Sequence, residues 1–225
     1  MDADRLTQLE SFLRSPALDQ RKAALDELAQ APSELALPIL QRLAGDPDFL
    51  CRRLAVMGLG NHRTETSFQL LKDLLARETD DNVLAEIANS LFEFGEKSVP
   101  LLQQLFQRHR HWLTRQTILS ILMEADQDDV LLAVIREALQ DETQTVKETG
   151  ILALGNLLDR PFHAEALTLL TALAQAEFWR DRWRAATALT RTSDPQAQLI
   201  LTKLQQDPNH YVVAAALESA MPKER

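Results

Sequence analysis

The stretch VKETGILALGNL, residues 146–157, indicates the fold, because variants of it recur along the whole chain. Two of them are CRRLAVMGLG at residues 51–60 and DRWRAATAL at residues 181–189. Small or apolar residues occupy the fifth, eighth and ninth positions of these copies, which is the spacing of one face of an α-helix. A repeat with a period of 30 to 35 residues is typical of a solenoid, in which each unit packs against its neighbours. The ninth positions of seven copies lie 30 to 35 residues apart, at Leu28, Leu59, Leu91, Ile121, Leu154, Leu189 and Ala220.

A leucine-rich segment separates consecutive copies, such as LALPILQRLA at residues 35–44 and VLLAVIREAL at residues 130–139. The turns between segments, such as Asp46-Pro47-Asp48, stop one helix and offer a cap to the next. Each repeat is therefore predicted to be a helical hairpin, and the chain is predicted to be all-α with about 14 helices in seven pairs. We expect one domain over residues 1–225, with repeat units at about 1–31, 32–62, 63–95, 96–125, 126–159, 160–192 and 193–225.

The composition argues against several classes of protein. No apolar stretch approaches the roughly 20 residues of a membrane span, and no basic and hydrophobic leader opens the chain. The single cysteine, Cys51, cannot form an internal disulfide, which favours the cytoplasm. The net charge of −9, from 24 basic and 33 acidic residues, is unfavourable for contact with a phosphate backbone. We therefore expect no nucleic acid partner and no membrane span.

No set of residues predicts catalysis or metal binding. His109 and His111 form an HxH turn, but no third ligand stands at a suitable spacing. Cys51 occupies an apolar position of its repeat, which favours burial as a small hydrophobic residue. We expect no catalytic residue, no cofactor and no metal.

Aromatic residues stand just before the first position of four copies. Phe49, Trp112, Trp179 and Tyr211 lie one or two residues ahead of it, where an apolar side chain often packs against the start of the helix. We interpret these four as structural. Trp183 differs, since it lies inside its helix at the third position.

The third, seventh and tenth positions of the copies should share a face that points away from the packing stripe. The middle of this face is apolar and its rim is charged, which is typical of an interaction surface. The alternative is that successive helices bury these residues between them. The hypothesised partner-binding residues are Arg53, Met57, Phe92, Arg115, Leu119, Leu122, Leu152, Arg182 and Trp183.

The segments CRRLAVMGLG and VKETGILALGNL, each preceded by an Asp-containing turn, resemble the short HEAT-like repeats named after phycobilisome lyases. The resemblance covers nearly the whole chain. It implies a right-handed α-solenoid whose second helices line the concave face. The basic residue that is usual near the start of the second helix is replaced by Leu84 in the third copy and by Val213 in the seventh.

The expected function is that of a non-enzymatic scaffold that binds another protein on the concave face. The resemblance suggests a phycobiliprotein or a second HEAT-like subunit as the partner. The first alternative is a subunit of a bilin lyase, whose arginines would hold bilin propionates and whose aromatic residues would hold the tetrapyrrole. A helical-repeat DNA glycosylase ranks behind it, because the basic concave surface is missing. The last helix, with YVVAAA at residues 211–216, is consistent with contact with another subunit; the alternative is a plain final helix with small exposed residues.

Overall fold

The computed structural model describes residues 2–218, and these residues form an all-α solenoid. The predicted fold class is confirmed within them, with fourteen α-helices and two short 3-10 turns at Gly95–Ser98 and Gly155–Leu157. The marker Ala220 and the charged residues 223–225 lie outside the described part. The helices are α1 (Ala3–Leu13), α2 (Leu18–Ala29), α3 (Ser33–Leu43), α4 (Phe49–His62), α5 (Glu65–Leu75), α6 (Asp81–Phe92), α7 (Val99–Arg108), α8 (Trp112–Met123), α9 (Asp128–Ala138), α10 (Gln144–Leu154), α11 (His163–Leu173), α12 (Trp179–Leu189), α13 (Pro195–Leu204) and α14 (His210–Glu218).

The helices form two compact units, the first ending at Ile118 and the second beginning at Leu119, so that the division falls inside α8. In the first unit α2, α4 and α6 stack side by side, and α1 and α3 lie beside each other in a second layer. In the second unit α10, α12 and α14 stack in the same way, and α11 packs against α13. Each unit therefore has a layer of stacked even-numbered helices, and odd-numbered helices pack against that layer.

The repeat positions that define the copies form the core of these layers. Leu28, Leu59, Leu91, Leu154 and Leu189 are fully buried. At the fifth position, Gly150 lets α10 approach α9 closely, because an added Cβ there would lie 2.9 Å from the Cβ of Ala138. The small residues of the repeat thus set the distance between the helices of a hairpin.

Side chains in the turns cap the helices that follow, as the turn composition predicts. The Asp48 carboxylate accepts a hydrogen bond from the backbone N–H of Leu50 at 3.0 Å, at the start of α4. The Asp80 carboxylate caps α6 by accepting from the backbone N–H groups of Asn82 and Val83. These bonds satisfy amides that have no partner within the helix.

A basic side chain at the second position of four copies pairs with an acidic residue of the following repeat. We call these four ion pairs the ladder. Leu84 and Val213 stand at the same position and carry no charge, so the ladder is incomplete there. Its members are Arg21–Asp48 (2.9 Å), Arg52–Glu78 (2.9 Å), Lys147–Asp181 (2.5 Å) and Arg182–Asp207 (2.7 Å).

Candidate interaction surface

The structure corrects the hypothesis for three of the nine partner-binding residues. Leu119 and Leu122 are fully buried and Arg115 is 2% exposed, so none of the three offers a surface to a partner. The buried residues of α8 match those of the other copies when Leu122 is taken as the ninth position. The sequence pattern predicts Ile121 at that position. The copy is therefore displaced by one residue, and the positions predicted to face solvent face the core.

The same displacement explains Arg115. Counted from Leu122, Arg115 becomes the second position of its copy, which is the position of the basic ladder residues. Its guanidinium lies over the ring of Phe106, with 4.0 Å between Cζ and the ring centroid. Arg115 is therefore part of the packing between helices of the first unit.

Arg182 has a structural role that the sequence did not predict. Its Nε and Nη2 atoms donate to the two carboxylate oxygens of Asp207, at 2.7 and 2.9 Å, and its Nη1 donates to the carbonyls of Ala176 and Glu177. These bonds join the turn before α12 to the turn before α14. The hydrogen bond with Asp207 raises the pKa of Arg182, and the same bond lowers the pKa of Asp207.

The remaining predicted residues keep some exposure. Arg53 in the first unit pairs with Glu86 at 3.0 Å. Met57 and Phe92 in the first unit are half-buried, as are Leu152 and Trp183 in the second. Of these residues, Trp183 belongs to the largest exposed aromatic group in the second unit.

This group, which we call the aromatic cluster, consists of four side chains. They are Phe178 just before α12, Trp179 and Trp183 in α12, and Tyr211 in α14. Trp179 lies at its centre, with ring centroids 6.0 Å from Trp183 and 5.4 Å from Tyr211 in stacked orientations. Trp183 and Tyr211 are 6.1 Å apart, and Phe178 is 6.4 Å from Trp179. Tyr211 is 51% exposed and Phe178 is 45% exposed, so the cluster presents a broad apolar surface to solvent.

Two arginines cover the rings of this cluster. The guanidinium of Arg184 lies 3.7 Å from the Trp183 centroid, and that of Arg180 lies 5.5 Å from the Trp179 centroid. Both arginines bind the same carboxylate: Arg184 Nε donates to one oxygen of Glu148 at 2.9 Å, and Arg180 Nη1 donates to the other at 3.2 Å. Glu148 itself is buried on α10. Three neighbouring even-numbered helices therefore contribute to one aromatic and basic surface.

Sequence reasoning selected Trp183 for the site and left out Arg180 and Arg184, and it favoured a structural interpretation of Trp179 and Tyr211 at helix starts. A signal was present, because Trp179 and Tyr211 precede corresponding positions of adjacent repeats. Stacked helices bring such positions side by side. Phe49 and Trp112 occupy similar places at the starts of α4 and α8 and are also partly exposed.

Cys51 is buried, and burial together with the hydrogen bond to Asp48 raises the pKa of its thiol to about 11. Among residues 2–218, no three histidine, cysteine or carboxylate side chains lie close enough to hold a metal ion. No helix in the same range is long and apolar enough to cross a membrane.

Comparison with known proteins agrees with the fold. The sequence model of a family described as HEAT repeats matches residues 6–92 and 132–221. No curated protein sequence matches the chain. Among solved structures, YibA of Escherichia coli is 14% identical, with a TM-score of 0.67 over 98% of this chain and 82% of that one. Kap121p bound to RanGTP is 17% identical, with a TM-score of 0.55 over 97% of this chain and 28% of that one. The complex of CpcE and CpcF of phycocyanin lyase from Nostoc sp. is 16% identical, with a TM-score of 0.49 over 96% and 95% of the two chains.

Proposed function

Since the chain belongs to the HEAT repeat family, we propose that it is a non-enzymatic scaffold that binds a protein partner on the layer of even-numbered helices in its second unit. The aromatic cluster is the observation that carries this proposal. Kap121p, which shares the fold, is described in complex with RanGTP, so protein binding is within the repertoire of the repeat. Fold alone does not give a function, and the proposal therefore depends on the side chains of this layer.

The cluster has the composition of a binding hot spot. Tryptophan, tyrosine and arginine are the residues most enriched where binding energy concentrates in protein interfaces. Here two tryptophans, one tyrosine and two arginines lie within one patch, and the rings hold one another in place by stacking. A partner would bury a surface that is already ordered, which reduces the entropy cost of binding.

Affinity capture with matched variants tests the proposal. The immobilised protein is compared with a Trp183→Ala, Tyr211→Ala double variant and with Trp112→Ala, which removes a partly exposed tryptophan outside the cluster. We expect at least one protein from the source lysate to bind the wild type and Trp112→Ala and to be lost from the double variant. Circular dichroism melting confirms that all three are folded. An identical set of bound proteins for the three, or none for any of them, would contradict the proposal.

The resemblance of the repeats to those of phycobilisome lyases suggests a phycobiliprotein or a second HEAT-like subunit as the partner.

The second candidate function is that of a bilin lyase subunit. The specific observation in favour of this function is the stacked pair of Trp179 and Tyr211 beside the guanidinium of Arg180, which suits a planar group with carboxylates. Titration with a bilin, with and without the captured partner, tests it by absorbance. A shift that the double variant abolishes supports this function, and an unchanged spectrum rejects it.

A further inference from the structure

We propose that the aromatic cluster binds a partner segment that carries a carboxylate next to an aromatic or leucine side chain, with Arg180 as the residue that selects the carboxylate. This inference rests on the proposed function, because it names the chemistry of the partner at the same surface.

The structure already contains one complete example of this mode of binding. Trp183, Arg184 and the Glu148 carboxylate form one unit, in which the guanidinium Cζ lies over the indole, 3.7 Å from its centroid, and Nε donates to the carboxylate at 2.9 Å. A guanidinium held flat on a ring keeps its edge free to bind a carboxylate, and the ring limits the entropy lost on binding. The cluster thus binds a carboxylate supplied by its own chain.

Arg180 forms the first half of a second such unit. Its guanidinium lies over Trp179 at 5.5 Å, and within the described residues its side chain donates a hydrogen bond through Nη1 alone, to Glu148 at 3.2 Å. The side chain is 46% exposed, compared with 25% for Arg184. A guanidinium has five N–H donors, so Nε and Nη2 remain for a carboxylate that approaches from solvent.

The local charge favours such a carboxylate. Glu148 pairs with both Arg180 and Arg184, so these three residues together carry one uncompensated positive charge. The neighbouring pairs Lys147–Asp181 and Arg182–Asp207 are each balanced one to one. Because the whole chain has a net charge of −9, a strongly acidic partner would be repelled at long range. The surface therefore suits one carboxylate in an otherwise weakly charged segment.

The rings determine what lies beside the carboxylate. Tyr211 and Phe178 are about half exposed and flank Trp179, so a flat or branched apolar side chain can cover them while the carboxylate reaches Arg180. Removal of such a side chain from water favours binding.

Selection from a random heptapeptide display library tests the inference. The baits are the wild type, Arg180→Gln and Lys203→Gln, where Lys203 is an exposed cation on α13 in the odd-numbered layer, so that both variants lose one positive charge. We expect the wild type and Lys203→Gln to enrich peptides with Asp or Glu next to an aromatic residue or Leu. Arg180→Gln should retain the apolar preference and lose the acidic one.

Titration with an enriched peptide then measures how much Arg180 contributes to the binding affinity. Two of the three tryptophans lie in the cluster, so intrinsic fluorescence reports binding of an enriched, tryptophan-free peptide. Loss of a charge-assisted hydrogen bond should weaken this peptide about tenfold for Arg180→Gln, and leave Lys203→Gln unchanged. Enrichment without an acidic preference, equal enrichment by Arg180→Gln, or no enrichment at all would overturn the inference. Those results would leave the scaffold proposal to its own capture test, which does not depend on the partner carrying a carboxylate.

Discussion

Gly150 is a residue whose identity is set by the distance between two helices. Its hydrogen allows α9 and α10 to meet, and any larger side chain must push against the Cβ of Ala138, which is fixed to its backbone. Gly45 provides the contrast, since it lies in the turn after α3 and a Cβ there would meet only the Arg42 carbonyl at 3.6 Å. The two glycines differ in packing, although both belong to the same kind of repeat.

We expect Gly150→Val to lower the free energy of unfolding by about 2 kcal/mol, because overpacking of a tight contact typically costs 1–3 kcal/mol. Glycine and valine differ little in helix propensity, so the change reports mainly on packing. Gly45→Val is the control and should have little effect. Urea unfolding of both variants measures the difference, and equal stabilities would show that the close approach at Gly150 is not tight.

The ladder pair Arg182–Asp207 is the second feature at this scale, and it makes stability depend on pH. The hydrogen bond from Arg182 lowers the pKa of Asp207 below its ordinary value. A lowered carboxyl pKa stabilises the folded state above the ordinary pKa of about 4. That contribution is lost as the pH falls through the lower pKa of the folded state.

Arg182→Met should therefore destabilise the protein by about 2 kcal/mol at pH 7, because it leaves the poorly exposed Asp207 carboxylate unpaired. The difference from wild type should shrink near pH 3, where the carboxyl is increasingly protonated. Arg136→Met removes an exposed pair with Glu165 and should cost less than about 1 kcal/mol. Unfolding at the two pH values is the measurement, and a difference that does not change with pH would contradict the role assigned to Asp207.

At the scale of the helix, the sequence predicts the elements well and the rotation of one helix poorly. Both Ile121 and Leu122 are apolar, so either residue can be placed at the ninth position of its copy. Only packing distinguishes them, and the structure buries Leu119 while leaving Ser120 exposed. A displacement of one residue rotates a helix by about 100°, which moved Arg115, Leu119 and Leu122 from the predicted surface to the core.

Alanine substitution of adjacent residues in α8 tests this rotation. Leu119→Ala should lower the stability by about 2–5 kcal/mol, which is typical for truncation of a buried leucine. Ser120→Ala should change it by less than about 0.5 kcal/mol, as for other exposed sites. Chemical unfolding followed by circular dichroism gives both values, and a near-neutral Leu119→Ala would restore the original assignment of this helix face.

At the scale of the whole molecule, the repeat can be predicted from the sequence more readily than the candidate site. The repeat is visible in the sequence because the same position is buried in copy after copy, as at Leu59 and Leu154. The aromatic cluster is not visible in this way, since Tyr211 belongs to a different copy from Trp179 and Trp183, and both Trp179 and Tyr211 resemble helix starts. Trp179 and Tyr211 meet only because α12 and α14 stack. Binding chemistry in a solenoid therefore depends on contacts between repeats, which the sequence reveals only where corresponding positions of adjacent repeats are read as neighbours.

Photocrosslinking from matched positions on the two layers of the second unit tests the central claim most directly. Benzoylphenylalanine is introduced at Tyr211 on α14 in the even-numbered layer or at Leu199 on α13 in the odd-numbered layer; these residues are 51% and 57% exposed. We predict that irradiation in the source lysate gives a discrete crosslinked protein from position 211 and none from position 199. A crosslink from position 199 alone, or none from either position, would contradict the claim that the even-numbered layer binds the partner.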